Sequence, residues 1–216
     1  MDGPILTNLR VCDHPLMKHV LGCISDITTE PDEFRRLMRQ AAPLMLYEAL
    51  ADLETEPYEI DTPVCKMESQ IVFAESIMVI NILGAGAALQ PWFSDLPLPH
   101  IDFQYGYLAM KRDEETLQAT TYYTRLPEKI DTDLTVICEP MNATGGSISD
   151  AVHEVKRRGA TNILCVHAVT ARAGAERMQC EHPDVRLWTA RLDEGLTDQG
   201  FIKPGLGDFG DRWNGC

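Results

Sequence analysis

The chain has 216 residues, of which 44% are hydrophobic, and its 33 acidic and 19 basic residues give a formal net charge of −14. This length and apolar content allow one domain with a sizeable core and exclude general disorder. The acidic balance argues against binding along a nucleic-acid backbone. No long apolar run and no signal-peptide pattern are present, so we expect neither a membrane span nor secretion.

Cysteine usage predicts a reducing, cytoplasmic location without structural zinc, because the number of cysteines is odd and no CxxC pair occurs. The seven cysteines are Cys12, Cys23, Cys65, Cys138, Cys165, Cys180 and Cys216.

The first half of the chain contains patterns that predict helices and patterns that predict strands. Residues 30–50 have helical runs, which Pro43 is predicted to break or bend. Residues 54–64 indicate a loop and a short strand. Ile77–Leu83 is an apolar run that predicts a buried strand, and a turn at residues 84–86 follows it. Ile101–Met110 predicts another strand.

The second half contains the clearest unit. Leu134–Cys138 and Asn162–Val169 are apolar and predict strands, while the segment between them has helical spacing and a glycine, Gly159, where the helix should end. A strand, a helix and a strand over about 35 residues form a βαβ unit, which implies a parallel sheet. Val185–Ala190 predicts one more strand.

A glycine-rich loop, Glu139–Ser147, connects the first strand of this unit to its helix. Loop amides and a helix N-terminus form a natural phosphate cradle at the carboxyl end of a parallel strand. Thr144 and Ser147 add hydroxyl groups, and Glu139 could hold ribose hydroxyls. The loop is neither a Walker A motif nor GxGxxG, so by spacing alone an ordinary strand-to-helix turn remains the alternative.

The loop resembles the phosphoribosyl-pyrophosphate (PRPP) motif of uracil phosphoribosyltransferases, whose usual form is Asp-Pro-Met-Leu-Ala-Thr-Gly-Gly-Ser. Other stretches match this family in order and spacing over about residues 10–212. They are HPLMKHVLG at His14–Gly22, YEALADLETE at Tyr47–Glu56, RDEETL at Arg112–Leu117 and the long closing block His182–Arg212.

The resemblance implies an α/β fold of the type I phosphoribosyltransferase class, with a mostly parallel central sheet flanked by helices and a small uracil-binding hood. It implies a single domain over residues 1–216, with an N-terminal arm at about 1–30 and a base-binding block at about 182–212. The implied reaction transfers ribose 5-phosphate from PRPP to uracil, giving UMP and pyrophosphate in pyrimidine salvage. The implied partners are these small molecules, Mg²⁺ carried by PRPP with no direct protein ligand, and a second copy of the chain in a homodimer or larger assembly.

The resemblance also assigns residues to each part of the substrates. Arg112 and Asp208 are the expected catalytic residues, and both would contact PRPP. The other expected PRPP contacts are Glu139, Pro140, Met141, Asn142, Ala143, Thr144, Gly145, Gly146 and Ser147. Uracil would be bound by Phe201, Ile202, Gly207, Asp208 and Phe209, largely through main chain, which suits a base with a short donor and acceptor pattern.

The residues themselves leave structural alternatives open. Arg112 could be a solvated loop charge. Asp208 and Asp211 could only stabilise the turn in which they lie. The histidines at positions 14, 19, 153 and 167 are interpreted as structural or surface residues without a catalytic role.

Several positions depart from the family pattern. Gly84 stands where the family has an arginine that helps to hold pyrophosphate, and loss of one such donor can cost about 10²–10³ in rate. Glu139 replaces Asp, and Asn142 replaces an apolar residue. The remaining departures are Phe201 in place of Tyr, residues 170–174 in place of Ala-Ala-Pro-Glu-Gly, and the lack of an arginine often found near residues 23–26.

Three hypotheses follow. The chain is a working uracil phosphoribosyltransferase, an enzyme of the same fold for another base or donor, or a non-catalytic binder of UMP or PRPP. Arg172, at the predicted carboxyl end of a strand, is a candidate for partly replacing the missing arginine. The alternative for Arg172 is a surface charge on a loop.

Overall fold

A computed structural model describes residues 5–72, 76–89, 93, 101–112 and 119–216, with only the backbone described at 87, 111–112 and 119–121. The strands in these residues are β1 Leu9–Val11, β2 Thr55–Asp61, β3 Lys66–Val72, β4 Ser76–Leu83, β5 Asp102–Arg112, β6 Ala119–Arg125, β7 Leu134–Cys138, β8 Met141–Asn142, β9 Ile163–Ala171, β10 Arg186–Asp193, β11 Gly195–Leu196 and β12 Ile202–Lys203. The α-helices are α1 Pro15–Ser25, α2 Pro31–Ala49, α3 Gly146–Arg157, α4 Arg172–Glu181 and α5 Phe209–Asn214, and a 3-10 turn covers Ala85–Ala88.

One large sheet organises the molecule, with strand order β1-β10-β9-β7-β4-β5-β6 and with β8 paired to β9. Every pairing in it is parallel except β5 with β6. The prediction of a mostly parallel sheet is therefore confirmed. Because parallel strands all point the same way, the segments that leave their carboxyl ends meet along one edge, which is called the carboxyl rim below.

Helices cover both faces of this sheet. β7 and β9 are buried along their whole lengths, as expected for central parallel strands with two apolar faces. Helix α3 packs Ile148, Val152 and Val155 into the core on one face. Helices α1 and α2 belong to the core on the other face. The predicted βαβ unit is confirmed, and Gly159 follows α3 with a φ of +103° that favours glycine.

Two local predictions, at Pro43 and at residues 54–64, were wrong or incomplete. Helix α2 continues through Pro43, whose ring lies on an exposed face, so water can satisfy the carbonyl that loses its helical partner. Residues 54–64 belong to a β2–β3 hairpin paired along its length. The hairpin is mostly exposed, so its sequence lacks the alternating apolar residues that indicate a strand.

The segment after β9 is also more regular than predicted. β9 extends to Ala171, and α4 begins at once with Arg172, where a loop was expected. None of the helices in the described parts of the chain is long and apolar enough to cross a membrane.

Candidate active site

The glycine loop between β7 and α3 forms a small concave site at the carboxyl rim. Residues 139 and 141–148 line a cavity of about 110 Å³. Gly145, with a φ of +80°, turns the chain into the first residue of α3, Gly146. A Cβ on Gly145 would lie 3.0 Å from the carbonyl oxygen of Gly174, so glycine is needed for both conformation and space. The amides at this helix start suit an anion such as a phosphate group.

Helix α4 packs tightly against this loop. A Cβ on Gly174 would lie 2.6 Å from Asn142 Oδ1 and 2.7 Å from the carbonyl oxygen of Ala143. The loop and α4 therefore touch through backbone and short side chains. A change in α4 at this point must move the loop.

Two departures from the family pattern meet beneath the loop. Asn142 in β8 is the register partner of Thr170 in β9. Both residues are buried. Asn142 Oδ1 and Nδ2 and Thr170 Oγ1 have no hydrogen-bond partner among the described residues. A buried polar atom without a hydrogen-bond partner lowers the stability of the folded protein. The presence of Asn142 and Thr170 here therefore needs an explanation other than stability.

His167 supports the start of the loop. Its Nδ1 lies 2.6 Å from the carbonyl oxygen of Glu139. Because a carbonyl only accepts, Nδ1 carries a proton. Burial lowers the pKa of His167 from 6.5 to about 4, although the bond to Glu139 acts in the opposite direction. The role is structural, as predicted from its place inside a strand.

The segment that follows β4 lies against the same rim. A Cβ on Gly86 would lie 2.7 Å from the carbonyl oxygen of Cys138, the last residue of β7. Gly84 has a φ of +108°, and no atom lies within 4 Å of a Cβ built there. An arginine at this position would have room, but it would need a backbone conformation that residues with a side chain rarely adopt.

The base-binding block forms a rigid turn around β12. Gly205 and Gly207 have φ values of +61° and +80°. The side chains of Ile202 and Phe209 are buried, and the ring of Phe209 packs on Phe34 with centroids 5.2 Å apart. The block is thus anchored by buried side chains.

Asp208 and Phe201 occupy the more open positions of this block. Asp208 caps α5, since its Oδ1 accepts a hydrogen bond of 3.0 Å from the Asp211 amide. The alternative that Asp208 stabilises its own turn is therefore correct as far as Oδ1 is concerned. Phe201 is exposed.

Arg191 and Asp193, which the sequence did not single out, hold the turn in place. The two side chains form paired hydrogen bonds of 2.8 and 2.9 Å. Asp193 Oδ2 accepts from the Gly205 amide at 2.9 Å, and Arg191 Nη2 donates to the Gly205 carbonyl at 2.8 Å. Asp193 is buried. The signal for this role in the sequence was a pair of opposite charges, Arg191 and Asp193, at the end of a strand.

The three segments converge at the carboxyl rim. β12 contacts β9, and α5 contacts the 3-10 turn that follows β4. The glycine loop, the Gly84 segment and the base-binding block therefore border one region. This region is the candidate active site.

Arg112 lies at the end of β5, where its backbone pairs with Ala119. Its side chain and the rest of the RDEETL block lie outside the described residues. The predicted role of Arg112 thus remains a prediction.

Arg172, the candidate replacement cation, is the first residue of α4 at the end of β9. Its Nη2 donates to Glu194 Oε1 at 2.9 Å, and its Nε donates to Glu194 Oε2. Arg172 is therefore an anchored rim residue rather than a loop charge. Its proposed contact with pyrophosphate remains a prediction, and Glu194 would compete with that ligand.

In the described part of the chain, no group of three or more His, Cys, Asp or Glu residues is arranged to hold a metal ion. One carboxylate, Glu139, lines the loop cavity. Mg²⁺ is commonly held by one or two carboxylates together with substrate phosphates. The donor set fits an ion that is bound mainly through its substrate.

Comparisons with known proteins give a consistent result. The family model described as uracil phosphoribosyltransferase matches residues 11–215. A uracil phosphoribosyltransferase of Paracoccus denitrificans is 40% identical over 209 residues, covering 96% of this chain and 97% of that protein. One from Staphylococcus epidermidis is 39% identical over 208 residues, covering 96% and 98%.

Solved structures agree with the predicted fold. The AQ2163 protein of Aquifex aeolicus matches with a TM-score of 0.85 at 33% identity, covering 95% of this chain and 97% of that one. An adenine phosphoribosyltransferase of Trypanosoma brucei matches with a TM-score of 0.56 at 15% identity, covering 94% and 90%, which shows likeness of fold alone. The chain belongs to the uracil phosphoribosyltransferase family.

Proposed function

We propose that this protein transfers ribose 5-phosphate from PRPP to N1 of uracil. The bond between C1′ and the pyrophosphate oxygen breaks, the bond between C1′ and N1 forms, and N1 loses its proton. The products are UMP, pyrophosphate and a proton. The main support is the convergence of a phosphate-type glycine loop and a rigid base-binding turn at one rim, in a chain of this family.

The phosphate end of the donor is assigned to the glycine loop. The amides of Gly145, Gly146 and Ser147 would bind the 5-phosphate, and Thr144 would add a hydroxyl group. Glu139 would contact the ribose hydroxyls. Met141 and Asn142 belong to β8, whose pairing with β9 keeps the loop in position.

The base is assigned to the turn around β12. Main-chain groups at Ile202, Gly207 and Phe209 would match the donors and acceptors of uracil. The bonds from Arg191 and Asp193 to Gly205 fix the backbone of this turn. Such a preformed main-chain site would discriminate against cytosine, whose reversed pattern leaves buried groups unpaired.

The pyrophosphate end is assigned to Arg112 and Asp208, with Arg172 as a further candidate. Bound Mg²⁺ would neutralise charge on the leaving pyrophosphate. Glu139 is the carboxylate of the loop cavity that could contact this Mg²⁺. The protein's own contribution is to position C1′ against N1 and to keep both ends of the donor fixed.

Product analysis with a panel of bases tests this function. Purified protein would be mixed with PRPP, Mg²⁺ and uracil, cytosine, hypoxanthine or orotate, and nucleotides would be separated by chromatography. We expect UMP from uracil and no nucleotide from cytosine. A nucleotide formed only from another base would support the second hypothesis. Thermal stabilisation by UMP without any turnover would support a binding protein.

Three further expectations accompany the proposal and remain predictions. They are a single domain over residues 1–216, a homodimer or larger assembly, and a cytoplasmic location. Size-exclusion chromatography with light scattering would measure the assembly.

A further inference from the structure

Arg177 of α4 lies along the two glycines that open α3. A Cβ on Gly145 would lie 3.2 Å from both Cβ and Cδ of Arg177. A Cβ on Gly146 would lie 3.4 Å from Arg177 Nη1. The side chain therefore runs beside the loop, and Nη1 of its guanidinium group ends next to Gly146, the first residue of α3.

Glu181 fixes the direction of this guanidinium group. Arg177 Nε donates to Glu181 Oε1 at 3.0 Å. Glu181 is itself held from α3, because its Oε2 accepts from Ser149 Oγ. These contacts, led by the bond from Ser149, lower the pKa of Glu181, which keeps it ionised.

The remaining donors of Arg177 are available to a ligand. Nη1 and Nη2 make no hydrogen bond to any residue in the described ranges, and the side chain is 42% exposed. An arginine that is oriented through Nε and open at its two terminal nitrogens is suited to bind an anion.

The charges around the loop cavity also favour a basic side chain at this place. The residues that line the loop cavity include one carboxylate, Glu139, and no basic side chain. The chain as a whole carries a net charge of −14. Arg172 is engaged with Glu194. Backbone dipoles would stabilise a phosphate dianion in the cradle, but the negative charge of the protein would destabilise it. A nearby cation would compensate for that negative charge.

We infer that Arg177 is an additional substrate-binding residue, which contributes its charge to the 5-phosphate of the phosphoribosyl donor, with Glu181 as its positioning residue. This inference rests on the proposed function and extends it to a residue outside the family motif. The competing interpretation is a surface ion pair at helical spacing that only stabilises α4.

The test compares Arg177→Ala and Arg177→Lys with Arg157→Ala. Arg157 is a matched control because it is an exposed helical arginine paired with Glu154 at the far end of α3. Affinity for ribose 5-phosphate would be measured by calorimetry, and kcat and KM would be measured separately for PRPP and uracil. Calorimetry does not require turnover, so it reports on Arg177 even if UMP is not formed.

We expect Arg177→Ala to weaken ribose 5-phosphate and PRPP binding by about three- to tenfold at low salt, with less effect at high salt. KM for uracil should not change, Arg177→Lys should recover part of the loss, and Arg157→Ala should match the wild type.

Unchanged ribose 5-phosphate affinity in a folded Arg177→Ala protein would overturn the inference and favour the surface ion pair. Lack of UMP formation by a wild type that binds ribose 5-phosphate through Arg177 would instead overturn the proposed function. A wild type that bound neither ribose 5-phosphate nor PRPP would overturn both.

Discussion

Asn142 and Thr170 lie opposite each other across β8 and β9, and both bury polar atoms that no described residue satisfies. Each stands at a departure from the family pattern, and together they place two unsatisfied polar side chains beside the phosphate loop. Polar atoms buried in this way destabilise the unliganded protein.

Replacement of Thr170 by valine should therefore be neutral or stabilising in the unliganded protein. An isosteric change that removes a buried, unpartnered hydroxyl removes a cost of about 1–3 kcal/mol. Thr135→Val is the control, since Thr135 is equally buried but its hydroxyl lies 3.4 Å from Thr132 Oγ1. We expect Thr135→Val to destabilise relative to Thr170→Val in urea unfolding. The reverse order would mean that the Thr170 hydroxyl has a partner, such as an internal water.

Gly174→Ala should disrupt the contact between α4 and the loop. The added methyl would lie 2.6 Å from Asn142 Oδ1 and 2.7 Å from the Ala143 carbonyl oxygen. We expect a loss of about 1–3 kcal/mol in stability and weaker PRPP binding, because the loop must move. Gly22→Ala is the control, since it adds a methyl to helix α1 with no atom within 4 Å. That control should gain about 0.5–1 kcal/mol. Equal effects of the two changes would show that the loop does not depend on this packing.

Gly84→Arg tests whether the missing arginine can be restored. The φ of +108° means that any side chain is strained here, so Gly84→Ala is the matched control for the backbone cost of about 1–3 kcal/mol. Both variants should lose stability, but only the arginine should raise kcat/KM for PRPP, by about tenfold or more over the alanine variant. Equal kcat/KM values would show that position 84 does not reach the pyrophosphate in this chain.

Because His167 is buried, the free energy of unfolding should depend on pH in a specific way. Its pKa is about 4 in the folded protein and 6.5 without burial, so the unfolded chain binds a proton first as the pH falls. The contribution to stability is complete above pH 6.5 and is lost as the pH falls toward about 4, by about 3 kcal/mol in total.

His167→Asn keeps an N–H donor for the Glu139 carbonyl but does not titrate. Urea unfolding at a series of pH values should show a shallower loss for this variant between pH 6.5 and about 4. A slope identical to that of the wild type would mean that His167 does not stay neutral in the folded protein.

The βαβ unit was predictable because its signals are local. The apolar runs of β7 and β9 and the spacing of Ile148, Val152 and Val155 depend only on the faces that each element buries. The hairpin β2–β3 was not predicted, since an exposed hairpin has no apolar face to set a period.

The candidate site was predictable only in part for a similar reason. The loop at residues 139–147 and the turn at 201–209 are continuous motifs. The support given by Arg177, His167 and Arg191 depends on contacts between segments that are distant in sequence. Such contacts leave no spacing pattern, so the structure was needed to find them.

The central claim is that this chain transfers the phosphoribosyl group to uracil despite the glycine at position 84. Phosphorus NMR of the wild-type protein with PRPP and Mg²⁺, with and without uracil, tests it most directly. We predict that pyrophosphate and UMP appear together in equal amounts and only when uracil is present. Pyrophosphate release that ignores uracil, or no consumption of PRPP with uracil present, would contradict the claim.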